Sequence, residues 1–379
     1  MAKSNGQRAQ KALIALFIGT LCAGFIAFVI WPKRAFSEQE NRALQQMPSL
    51  RIETLVDGTF TTEFENYLAD QFPLRDQWTS LKSQLQKWSG QKENNGVYFG
   101  KDGYLLQKSE PTQLDHLQQN AQAIRQFADK IQKPVYVMPV PSATWVMEQW
   151  LPAFAPEPDQ HAQMQLFAQM LSDEQTPLVD VFDLLRTHAQ EGLYYRTDHH
   201  WNEKGAYWGY AQLVRALGEE PLLQTDFVYQ AVSNDFLGTL YSKSKDVQAQ
   251  PDTIVQFTPC KQMTITMTVL DDHTERNSLF WTEKLDKKDQ YTYYLGGNHA
   301  AVITHNPQGN GKKLLLVKDS YAHILAPYLA AQYSEVHLID LRYYHAALSE
   351  YVAEQQIDQV AIVSRIQSFN EETTFSALR

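Results

Sequence analysis

The sequence predicts an α/β domain built on a parallel sheet, interrupted by a β-rich insert and preceded by one transmembrane helix. Three observations carry this expectation. Short apolar runs alternate with helical patterns on both sides of the middle of the chain, the signature of a parallel sheet with crossover helices. Between about Phe236 and Ile303 the rhythm changes to Thr, Val, Tyr and Phe with charged turns. Near the start, Ala12 to Trp31 carries no charge, and Thr20 is its one polar interruption.

That N-terminal segment has the length to cross the ~30 Å hydrocarbon core of a bilayer as a helix. Lys3, Arg8 and Lys11 precede it and favour a cytoplasmic N-terminus, while Lys33 and Arg34 behind it reduce the asymmetry. A cleaved signal peptide is the alternative. The apolar run is longer than a signal h-region and no A-x-A site follows, so an uncleaved single-pass anchor is expected, with the rest of the chain extracytoplasmic. This divides the chain into a cytoplasmic stretch (1–11), an anchor (12–31), a stalk (32–59) and a domain (60–379) that contains the insert (236–303).

Phe64, Tyr67, Leu68 and Phe72 lie at helical spacing; Pro73 breaks the run, and Trp78, Leu81, Leu85 and Trp88 resume it. Val97 to Leu106 alternates around Lys101-Asp102-Gly103, a hairpin signal. Leu114–Ile131 and 158–172 read as helices, and Pro134–Pro139 and Leu178–Phe182 as strands. A helix starts near Asn202. After the insert come strands at Lys312–Val317, Val336–Leu341 and Gln359–Val363, with helices at Ala326–Gln332 and Leu348–Gln355.

Hydrophobic residues make up 44% of the chain and aromatics 12%, enough for a sizeable core. A formal charge of −10 argues against binding nucleic-acid phosphates, which needs a basic face. Cys22 lies in the apolar segment and Cys260 far from it, so neither a disulfide between them nor a cysteine metal site is expected. No cofactor is expected.

The densest polar cluster is Arg196-Thr197-Asp198-His199-His200-Trp201-Asn202, between a strand end and a helix start. A carboxylate two residues before an imidazole can hold one ring nitrogen and leave the other as a general base. Two other readings stay open. Asp198 or Asn202 can cap a helix with the histidines at the surface, or Asp198, His199 and His200 can ligate a metal, with His188 the one further ligand close in sequence.

The second site follows a fully apolar run that ends in Lys318-Asp319-Ser320-Tyr321. A serine at that boundary can project its hydroxyl from the carboxyl end of the sheet, with its own N–H and those of the next turn aimed at an oxyanion. A plain serine N-cap is the alternative.

The segment Thr197 to Trp201 followed by Lys318-Asp319-Ser320-Tyr321-Ala322 resembles the DHHW family, related to alginate O-acetyltransferases with an SGNH hydrolase-like domain. Asp70-Gln71-Phe72-Pro73-Leu74-Arg75-Asp76 and the Val97–Leu105 hairpin also resemble that family, in the same order. The resemblance implies a three-layer α/β/α SGNH hydrolase-like domain and an acyl-serine mechanism, with Ser320 as nucleophile, His200 as base and Asp198 as the group orienting it. It implies that a polytopic membrane O-acyltransferase supplies the acetyl group and that a surface polysaccharide or wall polymer accepts it. The same triad would serve an esterase, and a non-catalytic component of an export complex could keep the fold. No glycine precedes Asp319, which departs from the pattern. For the oxyanion or substrate, Gly297, Asn298, Arg342 and Tyr343 are candidates, and Trp201 is either loop packing or a sugar platform. Arg75 and Asp76 are expected in a structural ion pair or a domain-docking contact.

Overall fold

The computed structural model describes residues 2–171 and 174–378, with side chains from residue 10 onward. The side chains of Lys3 and Arg8, part of the orientation argument, therefore lie outside the description, as do Ser172 and Arg379, which end the helix and domain read from sequence. The chain divides into two compact units, Met1–Gln86 and Lys87–Arg379.

In the first unit a helix runs Ala2–Ile30, and its Gln10–Ile30 stretch has a mean hydropathy of 2.7 with none of it buried. It is long and apolar enough to cross a membrane, and a signal sequence has the same character. The segment read as a stalk is folded: Phe36–Ser37 pairs antiparallel with Arg42–Ala43, and Ile52–Val56 is a short helix. Charge pairs hold it. Arg42 reaches Asp70 at 2.6 Å, Arg75 reaches Glu40 at 3.0 Å, and Arg34 reaches Asp76 at 2.7 Å. Arg75 and Asp76 are thus structural, as expected, although their principal partners are Glu40 and Arg34.

The second unit is organised by a seven-stranded sheet: β1 (Val135–Val140), β2 (Thr266–Val269), β3 (Thr274–Arg276), β4 (Ala301–His305), β5 (Lys313–Lys318), β6 (Glu335–Ile339) and β7 (Gln359–Arg365). The spatial order is β3-β2-β4-β6-β5-β7-β1. β6, β5, β7 and β1 are parallel, with Leu316 facing Leu338 on one side and Ala361 on the other. β4, β2 and β3 continue the sheet antiparallel. The all-parallel expectation is therefore corrected to a mixed sheet. Part of the insert forms this antiparallel edge instead of standing apart.

The central strands are apolar on both sides because both faces are covered. Leu314 and Leu316 pack with Met138, Ala361, Val363 and Tyr210 of helix Glu203–Ala216. Leu315 and Val317 pack with Val137, Ile362 and Phe127 of helix Leu114–Ile131. Side chains alternate across a strand, so each neighbouring pair divides between the two cores.

Leu178–Phe182 is a second correction. Leu178 makes only an isolated parallel bridge to Val137 beside β1, and Phe182 begins a helix, its N–H received by Asp180 at 2.8 Å. The acceptor at Asp180 starts a turn before a ladder can grow. The remainder of the insert is a hairpin of Phe227–Phe236 with Asp252–Pro259, bulged after Ala231 and again after Ser233, and a short helix at Thr239–Ser244.

Candidate active site

The loop from Leu193 to Asn202 is clamped from three directions. Asn202 caps helix Glu203–Ala216, accepting from the N–H groups of Lys204 (3.1 Å) and Gly205 (3.3 Å) and donating to Gly192 O at 2.6 Å. Asp252 of the hairpin accepts from the N–H groups of Arg196 and Thr197, both at 2.8 Å, and from the Thr197 hydroxyl at 2.6 Å. Trp201 is fully buried and donates its indole N–H to Tyr321 O at 2.7 Å. Its ring lies so close to Gly209 that a Cβ there would come within 2.5 Å. Trp201 therefore packs the loop, and the sugar-platform alternative falls because no face is exposed.

The clamped loop presents Asp198 and His200, both buried. Asp198 Oδ1 lies 2.5 Å from His200 Nδ1 and accepts the His200 backbone N–H at 3.0 Å. Oδ2 accepts from the Thr239 N–H at 2.7 Å and the Thr239 hydroxyl at 2.9 Å. Burial alone would raise the Asp198 carboxyl. The neighbouring His199 and His200 and these hydrogen bonds reverse that and hold it far below the usual carboxylate range. An ionised Asp198 accepts the hydrogen bond of Nδ1–H, which leaves Nε2 as an acceptor, 2.8 Å from Ser320 Oγ.

Ser320 is half-buried at the end of β5. The capping role belongs to its neighbour: Asp319 Oδ1 accepts the Tyr321 N–H at 2.9 Å, and Oδ2 accepts the Arg365 N–H at 3.0 Å and the Ser368 hydroxyl at 2.9 Å. This relieves Ser320 of capping and ties its turn to the end of β7. The amides of Ala322 and His323 bond within the turn, to Asp319 O and Ser320 O. The amides after Ser320 are thus engaged, contrary to their expected part in oxyanion binding. Among the described residues no acceptor takes the Ser320 N–H.

Three groups in the site carried no signal in the sequence. Thr239 and Gly238 come from the insert, and Gly238 packs its backbone on the Asp198 side chain. Tyr291, also from the insert, stacks on the His200 ring at 3.8 Å with 8° between planes and donates its hydroxyl to Ser320 O at 2.9 Å. A Gly-Thr pair and one of 19 tyrosines do not stand out in a sequence whose contacts here are non-local.

His199 faces Thr239 Oγ1 at 2.7 Å through Nδ1, and its carbonyl accepts from Tyr321 Oη at 2.5 Å. Burial, with His200 adding to it, keeps the ring well below ordinary histidine basicity. Asp198, His199 and His200 have ligand-capable atoms within 4.8 Å of one another, and the contacts above engage an atom of each. His188 stacks on Trp208 at 3.8 Å and meets Glu191 at 2.6 Å.

Asn298, Arg342 and Tyr343 form a separate group. Arg342 forks onto Asp340 (2.9 and 2.7 Å), its Nη2 is 3.5 Å from Asn298 Oδ1, and Asn298 Nδ2 is 3.5 Å from Tyr343 Oη. Asp340 also meets the buried Lys318 ammonium at 3.3 Å, which lies 3.0 Å from His323 Nε2. No hydrogen bond among the described residues joins Asn298, Arg342 or Tyr343 to Ser320. Gly297 has a positive φ of 117° and belongs to the turn before Asn298.

A family model described as DHHW protein matches residues 130–339, more than half of the chain and spanning both segments of the site. The chain belongs to the DHHW family. Among solved structures, this DHHW chain is similar to a DHHW family protein from Eubacterium siraeum (TM-score 0.65, 22% identity, covering 75% of this chain and 95% of that one). It is also similar to Bacillus cereus PatB1 carrying a sulfonyl adduct (TM-score 0.64, 19% identity, 75% and 98% covered). In sequence it is 26% identical over 231 residues to the probable alginate O-acetylase AlgJ of Pseudomonas syringae pv. tomato. That match spans 58% of this chain and 56% of AlgJ, just over half the relative's length.

Proposed function

We propose that this chain is a membrane-tethered serine O-acyltransferase that places acetyl groups on a cell-surface polysaccharide through an acetyl-Ser320 intermediate. The observation that carries the reading is the continuous path from Ser320 Oγ to His200 (2.8 Å) and from His200 to Asp198 (2.5 Å). The relative named as an alginate O-acetylase supports an acetyl group and a saccharide acceptor.

In the first half-reaction His200 Nε2 takes the Ser320 hydroxyl proton while Oγ bonds to the carbonyl carbon of an acetyl ester donor. The Ser320 N–H meets the developing oxyanion. His200 returns the proton to the departing alkoxide, leaving acetyl-Ser320. In the second half-reaction a sugar hydroxyl loses its proton to His200 and attacks the acetyl carbon, and Ser320 Oγ leaves with that proton. Asp198 stays ionised and steadies the imidazolium in both halves.

On this reading the sheet and covering helices of Lys87–Arg379 form the three-layer α/β/α SGNH hydrolase-like part of the domain expected over 60–379, and its insert at 236–303 completes the site. Residues 12–31 are a single-pass anchor followed by the 32–59 leader, and the domain lies outside the cytoplasm. A polytopic membrane O-acyltransferase delivers the acetyl group.

Ser320→Ala tests it. The full chain in detergent is given an activated aryl acetate, and the adduct is mapped by mass spectrometry. Acetylation at Ser320 and loss of turnover by 10³-fold or more in the variant are expected, with melting changed little because Asp319 provides the cap. Unchanged turnover in Ser320→Ala would rule out the acyl-serine mechanism and return the metal reading of Asp198, His199 and His200, and no turnover in either protein would leave the non-catalytic reading. An adduct that releases acetate to water despite a good sugar acceptor would favour an esterase.

A further inference from the structure

Tyr291 touches both partners of the proton transfer from opposite ends of its own side chain. Its ring lies nearly parallel to the His200 imidazole, 3.8 Å between centroids, and its hydroxyl donates to the backbone carbonyl of Ser320 at 2.9 Å. It is itself held: buried, with Tyr195 edge-on at 6.3 Å, Tyr294 at 5.6 Å, and the His323 ring stacked 6.0 Å away at 18°. Resting on the acyl-transfer reading above, we propose that Tyr291 is a positioning residue for that reaction. Its π face carries the positive charge His200 acquires when it takes the Ser320 proton, and its hydroxyl fixes the peptide from which Oγ projects.

The physical case has two independent parts. A cation over an aromatic face within about 6 Å is attracted by the ring quadrupole, most strongly where water is excluded. His200 is neutral before the transfer and charged during it, so the stacking strengthens at the transition state, which is the condition for a contact to accelerate a reaction. The hydroxyl stays protonated, since burial with the nearby Asp198 charge pushes it well above ordinary tyrosine values. It therefore remains a donor to Ser320 O throughout. Ser320 O also accepts the His323 N–H within the turn, and the turn itself is held through Asp319 on the β7 side. Tyr291 is the restraint from the insert.

Other charged or titratable groups around His200 are Asp198 on its own loop, His199 with its ring tilted at 3.9 Å, Asp289 before Tyr291, Tyr321 at 5.1 Å, and His323 beyond Tyr291. None is replaced in the test, so their influence is common to wild type and variants.

The full chain in detergent is compared as wild type, Tyr291→Phe and Tyr291→Leu, with active sites titrated by a sulfonyl fluoride so that only folded, competent protein is counted. Activated aryl acetate turnover is followed from pH 5 to 9. Tyr291→Phe keeps the stack and loses the hydroxyl: kcat falls about 5- to 10-fold, KM changes little, and the acid limb of kcat/KM stays in place. Tyr291→Leu loses both. Here kcat falls by about 30-fold or more, and the acid limb moves down by about 0.5–1.5 pH units, because the protonated imidazole has lost its support. A merely structural tyrosine would change the titratable fraction and leave the acid limb fixed in both variants, which would overturn the proposal. Equal profiles for the Phe and Leu variants would overturn it too. Ser320→Ala, run alongside, separates the readings: if it retains turnover, the acyl-serine mechanism itself fails.

Discussion

At Gly238 the backbone N–H donates to Thr197 Oγ1 at 3.0 Å, and a Cβ added there would overlap the Asp198 side chain. The φ of −79° would suit any residue, so steric room alone requires glycine. Gly238→Ala should push Asp198 away from His200 and Thr239, loosening a pair whose proton transfer depends on sub-ångström placement. We expect kcat to fall by about 10²-fold with KM nearly unchanged. Steady-state kinetics on the aryl acetate checks this, and unaltered kcat would show that the loop absorbs the methyl elsewhere. The residue-level chemistry was partly legible in the sequence. Asp198, His200 and Ser320 stood out because each sits at a strand-to-helix boundary among polar neighbours. Gly238, Thr239 and Tyr291 did not, since their contacts form only when the insert folds back across stretches of chain from 29 residues (Tyr291 to Ser320) upward.

Among elements, helix Glu203–Ala216 matters because its first turn is also the end of the loop that carries Asp198 and His200. Asn202 caps it with one side-chain atom and holds Gly192 with the other. Asn202→Ala should cost about 1–2 kcal/mol, seen as a melting temperature a few degrees lower. Because cap and loop are one structure, kcat should drop as well; a lower melting temperature with full activity would mean that Asp252 and Trp201 suffice to hold the loop. Elements with a clean period were legible. Leu114–Ile131 forms over the range its apolar spacing indicates, and β5 and β7 appear where uninterrupted apolar runs stand. Leu178–Phe182 misled because a short apolar run has no period of its own, and the Asp180 side chain decided for a turn. The antiparallel edge was unreadable for another reason: β2 and β3 announce a hairpin but not which sheet it joins.

For the whole molecule, the Gln10–Ile30 stretch has the length and hydropathy of a membrane anchor or of a signal sequence, and an N-terminal measurement separates the two. An uncleaved anchor predicts that protein extracted from membranes with detergent retains residues 12–31 on N-terminal mass analysis. Chains beginning after Trp31 would identify the segment as a signal peptide and release the domain from the membrane.

The order of the strands has a consequence for the protein's own manufacture. β5 is seated between β6 and β7, and both leave the ribosome after it. Asp319 takes two of its three partners from Arg365 and Ser368, which follow it in the chain by 46 and 49 residues. A chain still being synthesised therefore holds Ser320 as an ordinary hydroxyl on a strand without neighbours. The turn that carries Ser320 is complete only once β7 has been made and has docked beside β5.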